Sequence, residues 1–179
     1  GAAVAVLDRP QSNGKDVAAE IGGSFHEVDV TDFEGTETVL NAAVDALGGL
    51  HIAVTTAGGG IAERTLKKDG PHSLDSFRKS IDLNLIGTFN VSRLAACHMS
   101  KNDPVDEAAE ERGVIINTAS IAAFEGQIGQ VAYTASKAAI AGMCLTMARD
   151  MGSLGIRALA IAPRLFATGL TEGIPDEYV

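Results

Sequence analysis

The most restrictive feature of the chain is its alternation of short apolar runs with longer amphipathic ones. Ala2 to Leu7 is continuously apolar and stops at Asp8. His51 to Thr55, Val114 to Thr118 and Ile156 to Ala162, closed by Pro163, have a similar character. Such runs offer no polar side to water, so they read as strands buried within a parallel sheet. Ser24 to Val30 reads as a further strand. Between the strands lie segments with helical spacing: Gln11 to Ile21, Phe33 to Leu47, a long helix capped by Ser73 and running to about Met99, and Val131 to Met151. The polar stretch Lys101 to Arg112 reads as a surface loop. Strands joined through helices require right-handed crossovers, hence a parallel sheet with helices over both faces. The predicted fold class is α/β, a doubly wound parallel sheet in a single domain over residues 1–179.

In such sheets ligands bind beyond the carboxyl ends of the strands. Asp8, Asp29, Ala57, Gly58, Ser120 and Pro163 all fall there. One of them alone would be turn chemistry; all together they point to a cleft. The twenty glycines cluster at such turns, where a backbone can approach a ligand closely. A net charge of −9 argues against nucleic acid as a partner, since phosphate is held by Lys and Arg. The basic run Arg64 to Lys68 is short, is followed by Asp69, and reads as a solvated loop. Cys97 and Cys144 lie in apolar helical contexts and are expected to be buried free thiols, with no disulfide framework. The four histidines lack ligand spacing, so no metal is expected. No apolar stretch reaches the ~18 residues of a membrane span, and the N-terminus lacks a signal peptide's layout, so no membrane partner is expected. With no Trp and few aromatics, the core is expected to consist of Ala, Val, Ile and Leu.

Tyr133-Thr-Ala-Ser-Lys137 is the sharpest chemical signal. At i and i+4 the two side chains share one helix face. A phenol ordinarily titrates near pH 10, and a neighbouring ammonium favours its phenolate, which makes tyrosine a usable acid and base. Alone, the pair could equally be an idle surface contact. Ser120 lies thirteen positions earlier, just past a strand, where its hydroxyl can stabilise charge on a substrate carbonyl oxygen; otherwise it merely closes the strand. Asn84, close to Gly87, either marks a helix kink that frees a carbonyl for a water or is an exposed helix asparagine. Asp8 ends the first strand. An acidic residue at such a strand end bonds the adenosine ribose and repels a 2′-phosphate, which favours NAD over NADP. Arg9 beside it is the counter-argument.

These residues resemble the short-chain dehydrogenase/reductase family. Asn84, Ser120, Tyr133 and Lys137 match its catalytic tetrad; Asp29-Val30 is similar to the pair that holds adenine; Ala57-Gly58 is similar to the end of its Asn-Asn-Ala-Gly turn, and Pro163 to the start of its Pro-Gly turn. Leu66-Lys67-Lys68-Asp69-Gly70, the run Arg112 to Ser120 and Ala123 to Gln127 resemble a branch that acts on 3-hydroxyacyl-CoA thioesters and hydroxysteroids. The resemblance implies a Rossmann fold and NAD-dependent interconversion of a secondary alcohol and a ketone. It implies cofactor contacts at Asp8, Asp29, Val30, Thr56, Ala57, Gly58, Tyr133, Lys137, Pro163, Phe166 and Thr168, and substrate contacts at Ser120, Gln130 and Tyr133. It also implies a homotetramer, with a cytoplasmic location, or the mitochondrial matrix in a eukaryote.

Three departures stand out. Thr55-Thr56 replaces the family's Asn-Asn, which puts that turn's bonding to the sheet in question. Arg164 replaces the glycine after Pro163. The first strand, its glycine-rich loop and the C-terminal end of the fold are expected to be missing from these residues, leaving sheet neighbours unpaired. Two rival readings follow from the same residues: a 3-oxoacyl-carrier-protein reductase using NADPH, and a non-catalytic binding or assembly module, which would carry the tetrad without turnover.

Overall fold

The computed structural model describes residues 1–105, 108 and 110–164; Phe166 and Thr168 lie outside the described residues. In chain order the elements are β1 (Ala5–Asp8), α1 (Gly14–Glu20), β2 (Ser24–Glu27), α2 (Phe33–Leu47), β3 (Ile52–Thr55), β4 (Leu66–Lys67), β5 (Gly70–Pro71), α3 (Leu74–Ile81), a π-helical turn (Asp82–Ile86), α4 (Gly87–Met99), β6 (Gly113–Thr118), a 3-10 turn (Ile121–Ala123), α5 (Val131–Met151), a second 3-10 turn (Gly152–Leu154) and β7 (Ile156–Ile161).

All pairing between the main strands is parallel, in two groups. β1 pairs with β2, placing Val6 opposite Phe25 and Leu7 opposite His26. β6 lies between β3 and β7, with Thr55 opposite Asn117 and Asn117 opposite Ala160. Among the described residues β1 and β3 are not hydrogen-bonded to each other. β1 and β2 are covered on both sides. Phe25 meets α1 at Gly14, where a Cβ would lie 2.8 Å from its ring, while Leu7 on the other side joins Leu40 and Val44 of α2.

One face of the β3–β6–β7 group, carrying Ile115, Ile156 and Ala158, packs on Leu94, Ala95 and Met99 of α4 and Met147 and Met151 of α5. The opposite face leaves Ile52, Val54, Leu159 and Ile161 exposed. Helices on both faces are therefore a feature of β1–β2 but not, among the described residues, of β3–β6–β7. The core also draws on methionine, beyond the four expected residue types. Met99 reaches so near β6 that a Cβ at Gly113 would stand 2.6 Å from its sulfur.

Four further expectations need correction. The long helix from Ser73 to Met99 is not uniform: the π turn inserts an extra residue around Asn84. Residues 64–68, expected as a solvated loop, are largely exposed but form the first arm of a tight antiparallel hairpin, β4–β5, whose turn at Lys68-Asp69 leads into Gly70 at φ 144. Cys97 is exposed and Cys144 half-buried, because Cys97 sits on the outward side of α4 and only Cys144 turns to the sheet, with its thiol 3.3 Å from the Ala158 carbonyl. Finally, Val131–Leu154 is long and apolar enough to cross a membrane by composition. It packs on β6 and β7 instead and carries the buried Lys137, as a sheet-covering helix does.

Candidate active site

The carboxyl ends of β1, β2 and β3 open on one cavity of about 850 Å³. Asp8, Asp29, Val30, Thr56, Ala57 and Gly58, all expected at a cofactor site, line it together with Arg9, Ser12, Lys79, Ser80 and Asp82. The Asp8 carboxylate accepts the Arg9 N–H at 2.7 Å, which fixes its orientation at the mouth of the turn. Asp29 accepts both the N–H and the hydroxyl of Thr31, at 2.9 and 2.7 Å, and these bonds hold its carboxyl below the usual range. Val30 seats against Gly87, where a Cβ would fall 3.0 Å from its methyl. That close approach explains the glycine at the start of α4.

Asn84 is fully buried, not an exposed helix residue. Its carboxamide clamps the backbone of Gly59 from both ends, accepting the N–H at 3.0 Å and donating to the carbonyl at 2.8 Å, as a neighbouring strand would. Nδ2 also donates to the Ser80 carbonyl at 2.8 Å. The π turn provides for this, because its wider winding leaves carbonyls without their usual helical partner. The glycines of the turn allow the clamp to close. A Cβ at Gly58 would stand 2.7 Å from Asn84 Oδ1 and 3.3 Å from Lys137 Nζ. A Cβ at Gly60 would touch the Tyr133 ring at 3.4 Å.

Lys137 and Tyr133 are thus both beside the tri-glycine turn. Lys137 is 3% exposed, donates from Nζ to the Thr118 carbonyl at 2.8 Å, and lies 5.6 Å from the centre of the Tyr133 ring. Burial alone pushes its ammonium down to about 8. Among the described residues no carboxylate pairs with it. Thr118 leads into Ser120, whose Oγ accepts the Ala122 N–H at 3.1 Å. That bond uses a lone pair and leaves the hydroxyl proton free to donate elsewhere. The 3-10 turn after Ser120 packs on α5, and the Ile121 N–H donates to the Pro163 carbonyl at 2.9 Å, which brings Pro163 to the same end of the sheet. Gln130 is folded back on its own loop, with its side-chain oxygen accepting the Gln127 N–H at 3.2 Å. Arg164 is exposed.

The Thr55-Thr56 departure has a direct structural answer. Thr55 Oγ1 donates to Asn117 Oδ1 at 2.8 Å, and Ser92 Oγ donates to the same oxygen at 3.0 Å. A buried hydroxyl therefore ties the end of β3 to β6, while Asn117 Nδ2 is left without a partner. Sequence reasoning did not single out Ser80, Asn117 or Glu63. Nothing local marks these three. Glu63 helps line a second cavity of about 570 Å³ with Arg64, Thr65, Gly126 to Gly129, Val131 and Thr134. Among the described residues no three His, Cys, Asp or Glu gather as a metal site.

Comparison with known proteins agrees with this geometry. The family model described as short chain dehydrogenase matches residues 1–178. The chain is 47% identical over 181 residues to 3-hydroxyacyl-CoA dehydrogenase type-2 of Bos taurus, covering 99% of this chain and 69% of that protein. It is 34% identical over 179 residues to a 3-alpha-(or 20-beta)-hydroxysteroid dehydrogenase of Mycobacterium tuberculosis, covering 99% of this chain and 64% of that one. The crystal structure of 3-hydroxyacyl-CoA dehydrogenase type-2 from Mycobacterium avium superposes with a TM-score of 0.89 at 40% identity, covering 99% of this chain and 69% of that chain.

Proposed function

Since the chain belongs to the short chain dehydrogenase family, an oxidoreductase family with a nicotinamide cofactor, we propose that it interconverts a 3-hydroxyacyl-CoA, or a hydroxysteroid, and the corresponding ketone with NAD. The observation that carries the reading is the meeting of Lys137, Tyr133 and the Asn84-clamped glycine turn beside the cavity that Asp8 and Asp29 line. The names of the relatives support the substrate class. The residues present fit the cofactor: Thr56, Ala57 and Gly58 of the clamped turn line the cavity, and a carboxylate stands at the first strand's end, where adenosine ribose hydroxyls are held.

When bound, the nicotinamide supplies the hydride acceptor or donor. Asp8 would bond the ribose and oppose a 2′-phosphate, with Asp29 and Val30 at the adenine and Thr56, Ala57 and Gly58 along the turn. In the oxidative direction Tyr133 Oη takes the hydroxyl proton of the substrate. Lys137 favours the phenolate and keeps two further N–H donors, beyond the one on Thr118, for the nicotinamide ribose. Ser120, its lone pair already engaged by Ala122, donates to the substrate oxygen and stabilises the charge that develops there. Asn84 keeps the glycine turn in place and, in this reading, holds a water that relays the proton outward. Gln130 and Pro163 are assigned to the substrate and nicotinamide sides respectively.

The deciding experiment assays the complete protein with acetoacetyl-CoA and each reduced dinucleotide. Oxidation of NADH supports the reading. Activity confined to NADPH would favour a 3-oxoacyl-carrier-protein reductase, with Arg9, which lines the same cavity, as phosphate partner. An intact tetrad without turnover on any ketone would favour a binding module. The same proposal includes a homotetramer, supported by the open surface at Gly142 and the exposed Leu145 on α5 and checked by light scattering. It also includes a cytoplasmic location (the mitochondrial matrix in a eukaryote), checked by cell fractionation.

A further inference from the structure

One side chain outside the proton chemistry ties together three separate segments of the chain. Glu63 follows the glycine turn by three residues. Its N–H donates to the Gly129 carbonyl at 2.8 Å, in the loop that leads into α5. Gly129 sits at φ 84, a backbone conformation that favours glycine. The Glu63 carboxylate accepts the Ser73 N–H at 2.9 Å, pairs with Lys67 Nζ at 2.8 Å, and lies 3.9 Å from His72 Nδ1. Its side chain is only 10% exposed. Lys67 belongs to β4, and the His72 N–H donates to the Thr65 carbonyl at 2.9 Å, closing the base of the hairpin. Ser73 is the N-cap of α3, the helix whose far end winds into the π turn that carries Asn84. The bonds from Lys67 and Ser73 hold the carboxyl at about 2, so it is ionised at every pH at which the protein would be assayed.

These contacts border the second cavity. Glu63, Arg64 and Thr65 form one wall; Gly126 to Gly129, with Val131 and Thr134, form the other. The Glu63 segment also reaches the active site, since Gly60, three residues earlier, packs against Tyr133, where a Cβ would stand 3.4 Å from the ring. We propose that the second cavity takes the ketone or alcohol and that Glu63 is its positioning residue: it fastens the β4–β5 hairpin and the start of α3 to the lead-in of α5, and so sets the width of that cavity. The proposal rests on the dehydrogenase reading above. Glutamine at this position keeps the shape and can still accept from Ser73. Lys67 meets that same oxygen, Oε1, so glutamine offers it only a neutral acceptor; the charge that strengthens the contact is lost and the hairpin is loosened. Lys137, held on Thr118, and Asn84, held on Gly59, have independent anchors and stay in place.

The test compares the complete wild-type protein with Glu63→Gln, using acetoacetyl-CoA and NADH. KM for acetoacetyl-CoA is expected to rise roughly five- to tenfold, the scale of turning one charge-assisted bond into a neutral one, with kcat and the KM for NADH nearly unchanged. Hydrogen exchange at the amides of His72 and Ser73 should accelerate in parallel. Lys67→Met removes the other half of the pair from a more exposed site and should shift the same KM in the same direction; it carries the test if Glu63→Gln does not fold. An unchanged KM for acetoacetyl-CoA overturns the proposal. So does a parallel fall in kcat, both KM values and melting temperature, which is the mark of a merely structural residue. Absence of turnover in the wild type overturns the dehydrogenase reading itself, and the two failures are thereby distinguished.

Discussion

Gly58→Ala isolates the contact on which the proposed site most depends. The added methyl would stand 2.7 Å from Asn84 Oδ1 and 3.3 Å from Lys137 Nζ. An ordinary carbon–oxygen contact needs more than ~3.3 Å, so the carboxamide must retreat by roughly half an ångström or more. It cannot swing freely, because it is fully buried and holds both the N–H and the carbonyl of Gly59. Overpacking of this kind costs about 1–3 kcal/mol, and a weakened buried hydrogen bond adds about 1 kcal/mol. If half of that appears in the transition state, kcat/KM falls roughly five- to thirtyfold. Gly59→Ala is the matched control: its methyl meets only Leu83, at an ordinary 3.8 Å, and leaves the Gly59 backbone bonds to Asn84 intact. Urea unfolding of both variants, with fluorescence titration of NADH and steady-state assay, measures the difference. Equal behaviour of Gly58→Ala and Gly59→Ala would refute the clamp as the source of the glycine requirement.

Tyr133→Phe removes only the hydroxyl, and kcat is expected to drop by roughly 10²–10⁴-fold while NADH binding, followed by fluorescence, is retained. Lys137 is lowered by burial to about 8 from 10.5. Between those values the unfolded chain binds more protons than the folded one, so this group makes stability rise with pH. The rise should amount to about 3 kcal/mol between pH 8 and 10.5, with no contribution to the slope below that window, where both states are protonated. Subtracting the urea-unfolding profile of Lys137→Met across that range reveals it; a flat difference contradicts the buried ammonium. Thr55→Val deletes the hydroxyl that holds Asn117 Oδ1, with an expected loss of about 1 kcal/mol in chemical unfolding.

Hydrophobic spacing is local in sequence, and it was enough to reveal the βα alternation, the parallel pairing and the helix that carries Tyr133 and Lys137. The i, i+4 relation of those two residues follows from helix geometry alone, and Asp8 and Asp29 were legible because they end strands. Glu63, Ser80 and Asn117 were not. Their partners lie on other elements, tens of residues away in the case of Thr55 and Asn117, and no local pattern encodes a contact closed by the packing of separate helices and strands. Asn84 stands between these cases: its type and the nearby Gly87 hinted at a kink. Its burial and its clamp on Gly59 arise only once the π turn is pressed between α5 and the glycine turn. The uncovered face of β3–β6–β7 has the same origin. An apolar alternation states that a strand side must be buried, but which element covers it depends on how the whole chain folds back on the sheet.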